Sequence, residues 1–324
     1  MAHEVIAVIY DGFELLDLSG PSQVFAIATA LAGESGGYRV RTAAPGGGQV
    51  PAFGGVRVVA DLDLARLPRQ VDTLVVCGGF SSLGPLTPPL VSGVRALARR
   101  AGRTTSVCSG AFLLAEAGLL DGRQVTTHWA AARELARRYP EISVEPDRIY
   151  VQDGPLWTSA GVTAGIDLAL ALVAADHGSA LAREVARWLV VYLQRPGGQS
   201  QFSAPLSAVD GGRDSYRELR AFLEENPAAD LSLPALAARA GTSVRHFSRT
   251  FTAEVGVSPG RYVEQVRLAA ARRLLENTDD TLEVIARTTG LGSPETLYRV
   301  FLRGIGVSPG AYRRRFRCPA TVSA

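Results

Sequence analysis

Thr105-Ser-Val-Cys108-Ser-Gly-Ala-Phe reads as a short strand, then Cys108-Ser109-Gly110, then a helix. A side chain at such a junction sits exposed on a sharp strand-to-helix turn, the geometry of a nucleophile elbow. Gly110 permits the tight packing, and a cysteine at a helix N-terminus is expected to gain thiolate character from the helix dipole. Gly78-Gly79 ends the neighbouring strand and offers backbone N–H donors that could face the sulfur. Asp17, near a helix start, and His128, after two threonines at another, are further candidates to line a pocket with Cys108, Ser109 and Gly79. Each also has a plain structural reading: a helix-dipole acid for Asp17, a cap for His128, a small buried residue for Cys108.

A second constellation carries different chemistry. Phe251-Thr-Ala-Glu-Val-Gly-Val-Ser-Pro-Gly260 and Phe301-Leu-Arg-Gly-Ile-Gly-Val-Ser-Pro-Gly310 share their last five residues at an offset of 50. Upstream, Leu236-Ala237 with Gly241 echoes Ile285-Ala286 with Gly290 at offset 49, so one supersecondary unit is used twice. In each copy a short amphipathic segment runs into a glycine and is followed by a helix with Ser243 or Ser293 at its N-cap. Phe247/Phe251 and Leu297/Phe301, four apart, define buried stripes. Arg245, Ser248, Arg249, Thr296, Tyr298, Arg299 and Arg303 then fall on other faces. Helix, glycine turn and arginine-bearing helix is the helix-turn-helix pattern. Arg249 and Arg299 occupy equivalent places and suit bidentate pairing with guanine; Arg303 and Arg313–Arg315 suit phosphate.

The positioning elements follow from hydropathy. Val5–Tyr10 and Val71–Cys77 are continuous apolar runs, expected to be strands buried on both faces. Tyr38–Ala43, Val56–Ala60 near the sheet edge, and Thr104–Val107 are further strands. Leu16–Leu31, Pro89–Ala101, Gly110–Ala117, Thr127–Tyr139, Gly161–His177 and Ala180–Tyr192 are expected helices. Asp153-Gly154 between Ile149–Gln152 and Leu156–Ser159 signals a hairpin. Alternating strand and helix predicts an α/β sandwich with a mostly parallel sheet, flavodoxin-like, followed by an all-α domain with two helix-turn-helix units. Boundaries are expected at 1–195 for the α/β domain, 196–211 for a Pro-Gly-Gln-Ser linker, 212–317 for the DNA-binding domain and 318–324 for a tail.

The 324 residues contain no lysine. Residues 1–200 hold 17 arginines against 18 acids, and residues 231–324 hold 14 against 7, so positive charge gathers on the repeat, as a phosphate-binding surface requires. No run of about 18 apolar residues is seen, so no transmembrane helix is expected. Three scattered cysteines make neither a disulfide framework nor a metal site and imply a reducing cytoplasm. No cofactor is expected.

Gly290-Leu-Gly-Ser293, Leu297-Tyr-Arg-Val-Phe301, Gly306-Val-Ser-Pro309 and Tyr312-Arg313 resemble the DNA-binding domain of AraC/XylS transcription factors. Asp11-Gly-Phe13, Leu16-Asp-Leu-Ser-Gly-Pro21, Cys77-Gly-Gly79, the Cys108 elbow, Gly118-Leu-Leu-Asp-Gly122 and Thr127-His-Trp129 resemble the ThiJ/PfpI family, relatives of class I glutamine amidotransferases. Members of that family with hydrolase activity usually carry histidine directly after the elbow cysteine, where this chain has Ser109. Asp17 and His128 match positions that flank the cysteine in the isonitrile hydratase branch. The combination resembles GlxA-type transcriptional regulators. It implies a sequence-specific regulator that binds double-stranded promoter DNA, works with RNA polymerase, dimerises through its first domain and answers a small-molecule effector. The rival readings are a cysteine-dependent hydrolase or hydratase, and a first domain that is purely structural.

Overall fold

The computed structural model describes residues 2–33, 36–66, 68, 71–84, 86–193, 198–199 and 216–316. The chain divides into two compact units, Met1–Gln199 and Ser200–Ala324. Most of the expected linker and all of the expected tail lie outside the described residues.

In the first unit the chain runs β1 (His3–Val8), α1 (Leu15–Ala32), β2 (Tyr38–Ala44), β3 (Gly48–Pro51), β4 (Arg57–Ala60), β5 (Leu62–Asp63) and β6 (Val71–Val76). It continues through α2 (Pro88–Ala98), β7 (Ala101–Val107), α3 (Gly110–Glu116), β8 (Gln124–Val125), α4 (Trp129–Arg138) and β9 (Ser143–Val144). β10 (Tyr150–Asp153), β11 (Leu156–Ser159), α5 (Ala164–His177) and α6 (Ser179–Trp188) complete it. One seven-stranded sheet has the order β10-β11-β7-β6-β1-β2-β5. It is parallel except for β10, which returns as the hairpin that Asp153-Gly154 signals. Ile6, Val8, Leu74 and Val76 have no exposed surface, as strands covered on both faces require. Strand order reverses at β1, so the ends of β1, β6 and β7 meet where ligands bind in open α/β sheets.

Several expected elements differ. Val56–Ala60 does not extend the main sheet; β4 pairs antiparallel with β3 in a separate hairpin, leaving Val56 and Val59 exposed. The helix expected to reach Ala101 ends at Ala98, because Ala101 already pairs with Val71. The expected start at Gly161 is instead a turn, with Val162 at φ 51° and the helix beginning at Ala164. α6 stops at Trp188 rather than Tyr192, and Val190 sits at φ 57°. α1 spans 18 residues at mean hydropathy 1.3, long and apolar enough by composition to cross a membrane, contrary to the expectation that no such segment exists. Here it packs against β2, α5 and α6, with Val24, Phe25 and Ala28 buried.

The second unit is helical: α7 (Arg217–Glu225), α8 (Leu233–Arg239), α9 (Val244–Val255), α10 (Pro259–Asn277), α11 (Leu282–Thr288), α12 (Pro294–Ile305) and α13 (Pro309–Phe316). The two halves have separate cores. Phe247, Phe251 and Tyr262 pack with Leu219 and Leu223, whereas Leu297, Phe301 and Tyr312 pack with Ile285 and Leu275. α10 contributes to both. Its buried side includes Tyr262, Val263, Val266, Ala270, Ala271 and Leu275, and Leu274 is only half-buried.

Candidate functional site

The elbow is built by close packing of three strand ends. Cys108 has φ 56°, a left-handed conformation that costs a non-glycine residue energy and persists only where its surroundings enforce it. Its N–H donates to Ser159 O at 3.2 Å, and its carbonyl accepts from Thr127 Oγ1 at 2.7 Å. A Cβ on Gly110 would lie 2.3 Å from Val76 O, so only glycine lets α3 leave the elbow so close to β6.

Asp17 is fully buried on α1. Its Oδ2 accepts from Gly78 N at 2.9 Å and its Oδ1 from Val162 N at 3.1 Å, so the acid ties the β6 end to the turn before α5. Burial dominates over these two hydrogen bonds and raises its carboxyl pKa to about 7. The same burial, reinforced by the Asp17 charge, pushes the Cys108 thiol up to about 12. Desolvation and a neighbouring acid thus act against the thiolate character expected at the start of this seven-residue helix.

The amides expected to face the sulfur are engaged elsewhere. Gly78 N–H goes to Asp17, and Gly79 N–H donates to Ser109 Oγ at 2.9 Å. Ser109 Oγ in turn donates to Gly79 O at 2.8 Å, and its residue is 4% exposed. Ser109 and Gly79 thus bond to each other in a closed clasp beside the elbow.

His128 is the N-cap of α4, its Nδ1 accepting from Ala130 N at 3.3 Å. Its ring leans on Trp129 with centroids 5.3 Å apart, and burial lowers its pKa. A Cβ on Gly161 would meet His128 Cδ2 at 2.6 Å and Cys108 Sγ at 3.1 Å, so ring and sulfur flank the same glycine. The structure therefore brings Asp17, Cys108 and His128 together around Gly161-Val162. Sequence reasoning named Thr127 only within the Thr127-His-Trp129 motif, without its bond to the Cys108 carbonyl, and missed the Val162 N–H, which carries no local signal. Among the described residues no group of three or more His, Cys, Asp or Glu is placed to hold a metal.

In the second unit the two repeats share their serine caps and glycine ends. Ser243 Oγ accepts from His246 N and Ser293 Oγ from Thr296 N, and both following helices end at a left-handed glycine, Gly256 and Gly306. Ser258 occupies the N-cap of α10 without a capping side-chain bond, whereas Ser308 Oγ accepts from Ala311 N. With Phe247, Phe251, Leu297 and Phe301 buried, Arg245, Arg249 and Arg299 emerge exposed, and none has an ion pair among the described residues. Arg249 reaches His246 Nδ1 at 3.4 Å. Arg245, Ser248, Arg249 and Thr252 line an open groove beside Leu233 and Val244. On α12, Tyr298 is 49% exposed; Thr296 is half-buried beside the Ser293 cap. Arg303 pairs with Glu264 of α10, and Arg313 donates to Asp280 O, so these two are held by the protein's own groups. The halves also touch through one turn. A Cβ on Gly290 would lie 2.4 Å from Pro227 O, the carbonyl that Arg267 Nε holds at 3.0 Å.

Two family models match. The DJ-1/PfpI family covers residues 3–175, and a helix-turn-helix domain covers residues 236–315. The chain is 33% identical over 307 residues to the HTH-type transcriptional regulator GlxA of Rhizobium meliloti, spanning 94% of this chain and 93% of that protein. It is 37% identical over 169 residues to an isonitrile hydratase of Pseudomonas putida, covering 50% of this chain and 72% of that enzyme. Among solved structures, a ThiJ/PfpI family protein from Pseudomonas syringae matches with TM-score 0.52 and 26% identity, over 60% of this chain and 77% of that one.

Proposed function

This chain belongs to the DJ-1/PfpI family and is a DNA-binding transcriptional regulator with a helix-turn-helix domain of the AraC type; from that premise we propose how it reads DNA and where it receives its signal. In this reading α9 and α12 enter successive major-groove segments of promoter DNA, about one helical turn apart. Arg249 and Arg299 each pair with a guanine edge, helped by Arg245, Ser248, Thr296 and Tyr298. Arg303 and Arg314 contact phosphate, Arg303 by exchanging its partner Glu264. The carrying observation is the equivalence of Arg249 and Arg299: both exposed, both without an acidic partner among the described residues, both two residues before a buried phenylalanine on a helix with the same serine cap. The N-terminal domain, residues 1–195, forms a homodimer and takes up a small-molecule effector at Asp17, Cys108 and His128, and the DNA-binding domain of residues 212–317 engages RNA polymerase in the cytoplasm.

A hydratase reading has one favourable observation, the left-handed Cys108 beside Asp17 in a chain similar to an isonitrile hydratase. Against it stand burial and a neighbouring acid that push the thiol toward its neutral form, and amides that already have acceptors. The deciding experiment is pull-out of genomic DNA by the wild type and by the Arg249→Ala/Arg299→Ala double variant. Discrete fragments recovered by the wild type and lost by the variant are expected. No enrichment at low salt from folded protein would defeat the proposed readout, and isonitrile turnover abolished by Cys108→Ala would favour the hydratase.

A further inference from the structure

The N-terminal unit contains a socket filled by the chain's own Gln199. This residue is 3% exposed. Its Nε2 lies 2.9 Å from Thr127 O, 3.0 Å from Arg148 O, 3.1 Å from Pro146 O and 3.2 Å from Thr126 Oγ1. Three of the four are backbone carbonyls, which only accept, so the amide nitrogen must be the atom that points inward. The backbone is fixed as well: Gln199 N donates to Asp147 O at 2.9 Å, and a Cβ on Gly198 would collide with Asp147 Oδ1 at 2.3 Å. Withdrawing the carboxamide would take this donor from the buried Thr127 carbonyl and from the part-buried Pro146 and Arg148 carbonyls, which is what makes the seat specific.

The wall of this socket is also the wall of the elbow site. Thr126 and Thr127 supply two of the four oxygens. Thr127 Oγ1 donates to Cys108 O at 2.7 Å, and the next residue, His128, abuts Gly161 next to Cys108 Sγ. One three-residue strip thus has the elbow on one side and Gln199 on the other. Gln199 is the last residue of the N-terminal unit, so whatever holds it sets where the path to the DNA-binding unit begins.

We propose that Gln199 is a latch through which the elbow site controls that path. It rests on the reading that Asp17, Cys108 and His128 receive the effector. A ligand between Cys108 and His128 moves the Thr126–His128 strip, opens the oxygen socket and releases Gly198-Gln199. The ligand shifts this equilibrium only by binding the unlatched state more tightly.

The test uses the full-length protein and two variants. Gly161→Ala places a methyl against His128 and imitates an occupied site. Gln199→Glu sets a carboxylate against three carbonyls and breaks the latch directly, with Gln199→Ala as a milder version should the first fold poorly. Hydrogen exchange of the peptide containing Gln199, whose N–H is bonded to Asp147 O, is followed beside affinity for the DNA fragments recovered by the wild type. At least tenfold faster exchange at Gln199 in Gly161→Ala and Gln199→Glu, with a like-signed change in DNA affinity, is expected. Wild-type exchange at Gln199 in Gly161→Ala overturns the latch, and if DNA affinity shifts all the same, the effector reading stands by another route. Faster exchange in Gln199→Glu with unchanged DNA affinity also overturns it. If no fragment is recovered at all, the regulatory reading fails separately, while the exchange measurement still decides whether elbow and socket are coupled.

Discussion

At the scale of single residues, burial works against the charge of Asp17. Its pKa of about 7 in the folded chain lies above an unfolded value near ~3.9, so between those values the native state holds more protons than the unfolded one. Stability must then fall as pH rises through that window, by on the order of 4 kcal/mol in total. All three tryptophans, Trp129, Trp157 and Trp188, lie in the N-terminal unit, so their fluorescence reports its denaturation alone. Wild-type protein should unfold at lower denaturant at pH 8 than at pH 5. Asp17→Asn should lose that dependence while being about 1–3 kcal/mol weaker at pH 5, because its amide group cannot accept from both Gly78 and Val162. The Cys108 thiol, at about 12, should react with iodoacetamide at pH 8 roughly a thousandfold more slowly than free cysteine. Mass spectrometry of its tryptic peptide gives the rate, and labelling as fast as free cysteine would contradict the neutral thiol. The sequence made the elbow itself legible, through strand, Cys-Ser-Gly and helix. It concealed the thiol's state, which depends on how deeply Asp17 and the sulfur are buried by segments far apart in the chain.

Among the elements, the two helix-turn-helix halves look alike in sequence yet differ in what their turns touch. Gly241 and Gly290 have φ 65° and 72°, but a Cβ on Gly241 meets nothing within 4 Å, whereas one on Gly290 strikes Pro227 O. Gly241→Ala should therefore cost only the left-handed penalty, about 1–2 kcal/mol. Gly290→Ala should cost several times more, measured as loss of helical circular dichroism signal on heating. Equal losses would mean the turns are equivalent after all. The repeat, its caps and its buried aromatic positions were readable because periodicity and turn chemistry are local. Arg303 and Arg313 were not readable as protein-bound groups, since Glu264 and the Asp280 carbonyl come from elsewhere in the fold. The β3–β4 hairpin misled for a related reason: a β-rich run shows that a strand forms but not which strand it joins. Gln199 gave no signal at all, being one polar residue in a Pro-Gly-Gly-Gln-Ser stretch.

For the molecule as a whole, the segregation of charge predicts how affinity responds to salt. With 14 arginines against 7 acids in residues 231–324, DNA affinity should fall steeply between 50 and 200 mM salt on the scale expected for several phosphate contacts, roughly 10³–10⁵-fold for six to ten of them. Arg314→Ala should reduce the log–log slope by about 1 and weaken all sequences alike, whereas Arg299→Ala should relax specificity at one base position, by about 1–3 kcal/mol. Fluorescence anisotropy across a salt series separates the two, and a salt-independent affinity would contradict the charge argument. The close approach of Gly290 to Pro227 also limits how such a chain can be recombined. The repeat invites an engineer to graft one half from a relative as a self-contained cassette. Because the second turn rests on the loop entering the first half, and Arg267 clamps that loop from the shared helix, a workable crossover must carry Pro227–Ala229, Arg267 and Gly290 together. The heritable unit here is the pair, and gene shuffling that cuts between the repeats should yield far fewer folded products than shuffling that cuts before residue 227.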